Sequence, residues 1–361
     1  MFQRRAIPIF IHSGPRITKF ATKQLQGQLC TMPWNSIGIG LNGDVFLCQC
    51  EAWLPTNIGN IWDDDLATLM QSDTARAIRR SIIDGNYEYC NESVCYVLQQ
   101  QELQTIDQIH PQELRAAMQD EHSWLMPTHI MLALDPTCNL SCPSCRTEVT
   151  KKVDDDQDRI EYLSQRLITN LFGHATNQQI NVTVSTSGEL FASEVLMRTV
   201  NQIDLDLIPG LNLQIQTNGL LLPKRWSRIA DKHNNIGMIT VTVDAATADT
   251  YEIVRRGGRW SDMLAALDFI RDLKQSLGFE LRLRMVVQKT NYQEAPAFYD
   301  LAQNYLADLV EYTRLTNWHT WPYTEFKTHD ILDPNHPKYK LAQTVLGNCI
   351  NRPSTWHNFV L

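Results

Sequence analysis

Downstream of Pro127 the apolar residues alternate between two spacings. Strand-like runs occur at 130–135 (IMLALD), 180–185 (INVTVS), 213–217 (LQIQT), 238–244 (MITVTVD), 281–287 (LRLRMVV) and 308–315 (DLVEYTRL). Helical spacing separates most of them. Ile160, Leu163, Leu167 and Leu171 recur at threes and fours, and further helical stretches lie around 194–205, 247–254, 261–275 and 292–306. Repeated strand-helix units predict an α/β fold with a parallel sheet and helices on its outer side. Six strands fit a partial (β/α)6 barrel better than a closed eight-stranded one, and chemistry in such barrels gathers at the carboxyl ends of the strands.

Upstream the pattern differs. Residues 1 to about 28 read as irregular, and residues 29–50 alternate around Asn42-Gly43 as a hairpin whose arms both end in cysteine. From Asp63 to Ile83 the spacing predicts one helix, with Leu66, Met70, Ala77 and Ile78 on a broad face, stopping near Asp84-Gly85. Residues 97–127 are polar and read as a helical linker, interrupted at Pro111 and bounded by Pro127. The expected division is 1–96, 97–127, a barrel over 128–325 and a C-terminal extension over 326–361.

The 361 residues, 43% hydrophobic, support a real core. A net charge of -8 without long basic blocks disfavours an extended nucleic-acid surface and points to a small molecule or a peptide as partner. The first residues have a basic start and a brief apolar run broken by Pro8, Gly14 and Pro15, and no stretch approaches a membrane span, so a cytoplasmic location is expected. Eight of the nine cysteines fall in close groups, which suggests metal or iron-sulfur ligands more than disulfides.

The segment DPTCNLSCPSCR, residues 135–146, follows the first barrel-like strand and places Cys138, Cys142 and Cys145 at a C-x3-C-x2-C spacing. A tetrahedral zinc site normally needs four ligands, and no fourth Cys or His lies nearby in sequence. Three thiolates on a four-iron cluster leave one iron open. This motif resembles the signature of radical S-adenosylmethionine (SAM) enzymes, which implies a [4Fe-4S] cluster, SAM as its ligand, a 5'-deoxyadenosyl radical that abstracts a substrate hydrogen, and an external one-electron reductant such as flavodoxin or ferredoxin. The same resemblance implies cofactor contacts elsewhere. Ser187-Gly188-Glu189 is similar to the family's glycine-glycine-glutamate motif with its first glycine replaced, and Thr217-Asn218-Gly219 looks like its strand-end TNG. Asp244 stands where a ribose contact is common, and Gln288 and Asn291 follow the next strand. Arg255 or Arg256 can reach a carboxylate.

Cys30, Gly43 and Cys48 resemble the C-x(9–15)-G-x4-C opening of SPASM or twitch auxiliary-cluster domains, with Asn57-Ile58-Gly59-Asn60-Ile61 as the segment that follows. The resemblance implies one auxiliary [4Fe-4S] cluster on Cys30, Cys48, Cys90 and Cys95, with Cys50 as an alternative ligand and zinc as a rival metal. In the common arrangement such a domain follows the barrel. Here it precedes it.

The family resemblance implies modification of a ribosomally made peptide, by epimerisation or crosslinking. A radical enzyme acting on a small amino acid, sugar or nucleoside is the alternative, and a non-catalytic electron-transfer or structural protein the third. Cys349, the isolated cysteine, is the candidate hydrogen donor for epimerisation, and Arg314 the candidate anchor for a substrate carboxylate. Trp318, His319, Trp321 and Tyr323 are candidates to line the substrate side, although aromatic residues also pack barrel ends.

Overall fold

The Asn42-Gly43 pair turns the chain back in its first hairpin. Strand β1 (Ser36–Ile39) runs antiparallel to β2 (Asp44–Phe46), with Gly38 opposite Phe46 and Ile39 opposite Val45. Both turn residues take positive φ, 67° and 87°, which Asn and Gly adopt at least cost. A Cβ on Gly43 would lie 2.3 Å from the Trp62 indole nitrogen, so space as well as angle demands glycine. Strand β3 (Asn57–Asn60) then adds antiparallel to β2, and β4 (His129–Leu132) adds parallel to β1.

The computed structural model describes residues 16–20, 24–150, 157–173, 178–184, 187–206, 208–318 and 320–361, with no side-chain account of Arg159 or Ala230. It forms two compact units, one of Met1–Leu134, Gln165–Ile180 and Asp204–Gly210, the other of Asp135–Ser164, Asn181–Ile203 and Leu211–Leu361. The last residue of the predicted 180–185 strand lies outside the described residues.

The helix expected over 63–83 is two helices, Leu66–Met70 and Asp73–Ile83. Ser72 takes an extended conformation, and its hydroxyl accepts from the Ala75 amide at 3.2 Å. A serine cap restarts the helix there, a break that apolar spacing alone passes over. The polar 97–127 segment carries two short helices, Tyr96–Gln99 and Gln112–Gln119.

The strands that follow are β5 (Ile180–Val184), β6 (Leu211–Thr217), β7 (Ile236–Thr242), β8 (Glu280–Val287), β9 (Leu309–Arg314) and β10 (Thr355–His357), side by side in that order and, from Asn181 on, all in the second unit. From β6 to β10 every neighbouring pair is parallel. Helices Glu194–Gln202, Ala248–Val254, Trp260–Leu277 and Ala295–Asn304 fall between strands, as their spacing predicts. The segment beyond residue 326 contributes a further helix, Tyr339–Ile350, and the strand β10. The mixed α/β fold agrees with the (β/α) barrel that the strand-helix alternation predicts, with a small region of its own at the N-terminal end.

Strand β8 separates two environments. Leu281, Leu283, Met285 and Val287 are fully buried. Met285 is level with Tyr312 of β9, whose hydroxyl donates to the Ala295 carbonyl, so this face meets the helices. The intervening Arg282 and Arg284 share the buried Glu311 at 3.1 and 2.6 Å, and Arg284 also donates to Gln216 at 3.2 Å. Thr183 and Gln214 meet at 3.0 Å, and Asn181 and Asn212 at 2.7 Å. The sheet face turned away from the helices is therefore polar. Among the described residues no helix is long and apolar enough to cross a membrane.

Candidate functional site

The loop after β4 is tied down before its first cysteine. Asp135 is buried and accepts from the Thr137 amide at 2.8 Å and the Ser193 hydroxyl at 2.5 Å. Ser193 in turn caps the helix Glu194–Gln202 by accepting from the Leu196 amide. The Ser187-Gly188-Glu189 segment packs directly on this loop. The Glu189 amide donates to the Thr137 carbonyl at 2.9 Å, and a Cβ on Gly188 would stand 2.3 Å from the Asp135 oxygen and 2.7 Å from that of Thr137. Only a residue without a side chain permits so close a backbone approach.

Each of the three loop sulfurs has its own N–H donor. The Asn218 amide nitrogen lies 3.7 Å from Cys138 Sγ, Arg255 lies 3.5 Å from Cys142 Sγ, and Arg146 lies 3.4 Å from Cys145 Sγ. Thiolates and cluster sulfurs are anionic acceptors, so this donor set fits an iron-sulfur ligand loop. Cys142 is buried and Cys145 exposed. Burial pushes the Cys138 thiol above its ordinary value.

Glu189 has no exposed surface and acts as a strut. Its carboxylate accepts from Thr217 Oγ1 at 2.9 and 3.0 Å, from the Asn218 amide at 2.7 Å and from the Phe191 amide at 3.2 Å. Burial raises its pKa, and these donors together with the Arg255 charge work in the other direction. Gly219 holds φ at 82°, and its amide donates to Thr217 Oγ1 at 2.9 Å. The two family-like segments and the cysteine loop thus form one bonded cluster.

Asp244 adopts φ 62°, a conformation few residues other than glycine hold, and is buried. Its carboxylate accepts from the Val286 amide at 2.7 Å and pairs with Arg255 at 3.2 Å. Burial opposes the Arg255 cation, but Asp244 and Cys142 outweigh it and hold the guanidinium above its ordinary value. Asn291 braces the same turn by donating to the Asp244 and Val286 carbonyls. Gln288 is buried, and its side-chain nitrogen, at the end of β8, has no partner among the described residues.

Cys349 and Arg314 are not drawn into this cluster. The Cys349 thiol is fully buried, donates to the Val345 carbonyl at 3.3 Å and meets Tyr312 on the helix-facing side of β9. Arg314 pairs with Asp330 at 2.8 Å. Arg256 holds Ser141 and the Thr147 carbonyl. Trp321 stacks on His329 at 4.4 Å, while Trp318 and Tyr323 are exposed. His319 lies outside the described residues. Arg146 carried no family motif, yet its place directly after Cys145 was a signal that a charged side chain would sit beside the sulfurs.

In the N-terminal unit Cys30, Cys48, Cys90 and Cys95 line one cavity with Met32, Leu47 and other mostly apolar residues. Cys50 does not line it. Burial pushes the Cys30 thiol up to about 12 and also raises Cys48, Cys90 and Cys95, and for Cys30, Cys48 and Cys90 the charge of neighbouring cysteines acts in the same direction. Backbone amides of Met32, Cys50, Val97 and Leu98 reach the sulfurs, which favours the thiolate form. Among the described residues no three His, Cys, Asp or Glu side chains are close enough to hold a single metal ion; the four sulfurs instead surround a volume.

The Radical SAM superfamily matches residues 134–302, and the SPASM iron-sulfur cluster-binding domain matches residues 30–96. Among curated proteins, the chain is 25% identical over 142 residues to a GTP 3',8-cyclase of Alkaliphilus metalliredigens, covering 38% of this chain and 42% of that protein. It is 25% identical over 185 residues to the serine-type anaerobic sulfatase-maturating enzyme of Klebsiella aerogenes, covering 48% of this chain and 44% of that one. The chain thus spans less than half the length of these two relatives. Among solved structures, SAM-bound SuiB of Streptococcus suis is 13% identical with a TM-score of 0.43, covering 68% of this chain and 54% of that one. With the three-cysteine loop after β4 and the SPASM match ahead of it, the chain belongs to the radical SAM superfamily, with its SPASM domain N-terminal to the radical SAM domain.

Proposed function

We propose that this protein is a radical SAM enzyme that modifies a peptide, and that it does so by oxidation or crosslinking. The observation that carries the enzymatic reading is a loop of three thiols, each met by an N–H donor, the donor to Cys138 coming from the Asn218 turn that Glu189 holds. Cys138, Cys142 and Cys145 would hold a [4Fe-4S] cluster, which together with SAM would supply the radical chemistry. The chain's own residues hold and orient. Gly188 lets the Ser187–Glu189 backbone lie against the loop, Glu189 fixes the Asn218 turn, and Asp244 and Gln288 stand at strand ends as ribose and base contacts. The polar sheet face of Arg284, Gln216 and Glu311 offers donors and acceptors to a substrate.

The peptide reading rests on the SPASM domain and on the sulfatase-maturating relative. Oxidation is favoured over epimerisation because the candidate hydrogen donor Cys349 is buried against Tyr312, on the side of β9 that meets the helices. Cys30, Cys48, Cys90 and Cys95 would saturate an auxiliary [4Fe-4S] cluster, leaving it suited to accept an electron. The cyclase relatives favour a second reading, a small nucleotide substrate.

The test is mass spectrometry of reduced, anaerobically reconstituted protein given SAM and a mixture of cellular peptides and metabolites in heavy water. A peptide lighter by two hydrogens, formed with 5'-deoxyadenosine, supports the proposal. A deuterated peptide replaces oxidation by epimerisation, and a changed nucleotide with unchanged peptides replaces the peptide reading by the second one.

A further inference from the structure

The three sulfur donors of the loop differ in net charge. Asn218 is neutral. Arg255 is charged, but Asp244 lies 3.2 Å from it and cancels most of its field at a distance. Arg146 is different: among the described residues its guanidinium contacts are the Pro136 and Ser187 carbonyls, the Thr150 hydroxyl and Cys145 Sγ, and none of them is a carboxylate. The anionic groups that act on it are the sulfurs of Cys145, Cys138 and Cys142. One nitrogen of its fork touches both Cys145 Sγ at 3.4 Å and the Ser187 carbonyl at 2.7 Å, so a cation with no carboxylate partner among the described residues is clamped between the loop and the Ser187-Gly188-Glu189 segment.

We propose that Arg146 is a positioning residue that sets the reduction potential of the cluster on Cys138, Cys142 and Cys145. One electron from an external low-potential donor adds one negative charge to the cluster and its ligands, and no bond is made or broken in that step. A fixed guanidinium at the sulfur stabilises the more negative, reduced state and so raises the potential. Arg255 contributes less, since its removal would also free the Asp244 carboxylate.

This inference rests on the cluster reading above, and the experiment separates the two. Full-length protein is reconstituted anaerobically without SAM, iron is quantified, and the cluster is titrated reductively with detection by electron paramagnetic resonance. Cys90→Ala/Cys95→Ala is the common background, to remove the auxiliary signal. At the poise that half-reduces this background, Arg146→Gln is expected to hold at least threefold less reduced than oxidised cluster, and Arg146→Lys a smaller deficit of the same sign. Arg259→Gln, which removes an exposed cation paired with Asp262 outside the cysteine loop, is expected to leave the ratio unchanged. An unchanged ratio in Arg146→Gln, an equal shift in Arg259→Gln, or loss of iron in both Arg146 variants overturns the inference. Absence of any reducible cluster in the background protein defeats the cluster reading itself.

Discussion

Glu189 and Thr217 show how a buried carboxylate is kept in place at this site. Thr217 supplies one hydroxyl to both carboxylate oxygens, so Thr217→Val leaves Glu189 with amide donors alone. That change should cost about 1.5–3 kcal/mol in urea unfolding, with Thr217→Ser close to the parent; a loss under about 0.5 kcal/mol would remove Glu189 from its role as a strut. Cys30 makes a second residue-scale prediction. Its pKa rises from an ordinary 9.0 to about 12 in the folded, metal-free protein. The fold therefore favours the protonated thiol, so stability is fully present below pH 9 and is lost as pH rises toward 12. Thermal unfolding of metal-free protein should show this decline, and Cys30→Ser should flatten it; equal slopes in both proteins would contradict the assignment.

At the scale of elements, contact between two loops carries the site. Gly188 has no room for a Cβ beside the Asp135 and Thr137 carbonyls, so Gly188→Ala should separate the Ser187–Glu189 segment from the cysteine loop. Equilibrium dialysis should find SAM affinity lowered at least tenfold, about 1.4 kcal/mol, with iron content retained. Unchanged affinity would mean that this approach does not shape the cofactor site. Ser72→Ala should cost about 1 kcal/mol by removing the cap that restarts the second helix. The six barrel strands were legible because their apolar runs are bounded and β-rich, and the Asn42-Gly43 turn because positive φ selects those residues. The Ser72 break was not, since the apolar stripe continues through it. Nor was β10, whose three residues are all half-buried and carry no alternation. Cys30, Cys48, Cys90 and Cys95 could be grouped by spacing, but their common cavity depends on side-chain directions that only the folded chain supplies.

At the scale of the molecule, two cysteine groups serve different purposes. The loop of Cys138, Cys142 and Cys145 offers three ligands and a ring of donors, whereas the N-terminal cavity offers four sulfurs in apolar surroundings. The account predicts roughly eight irons per reconstituted chain, about four in each cluster. The most direct measurement compares iron content and 5'-deoxyadenosine formation in the parent protein and in Cys138→Ala/Cys142→Ala/Cys145→Ala, both reduced in the presence of SAM. The parent should form 5'-deoxyadenosine, and the variant should retain about four irons and form none. Equal 5'-deoxyadenosine from both proteins would contradict the assignment of this loop as the site of SAM cleavage.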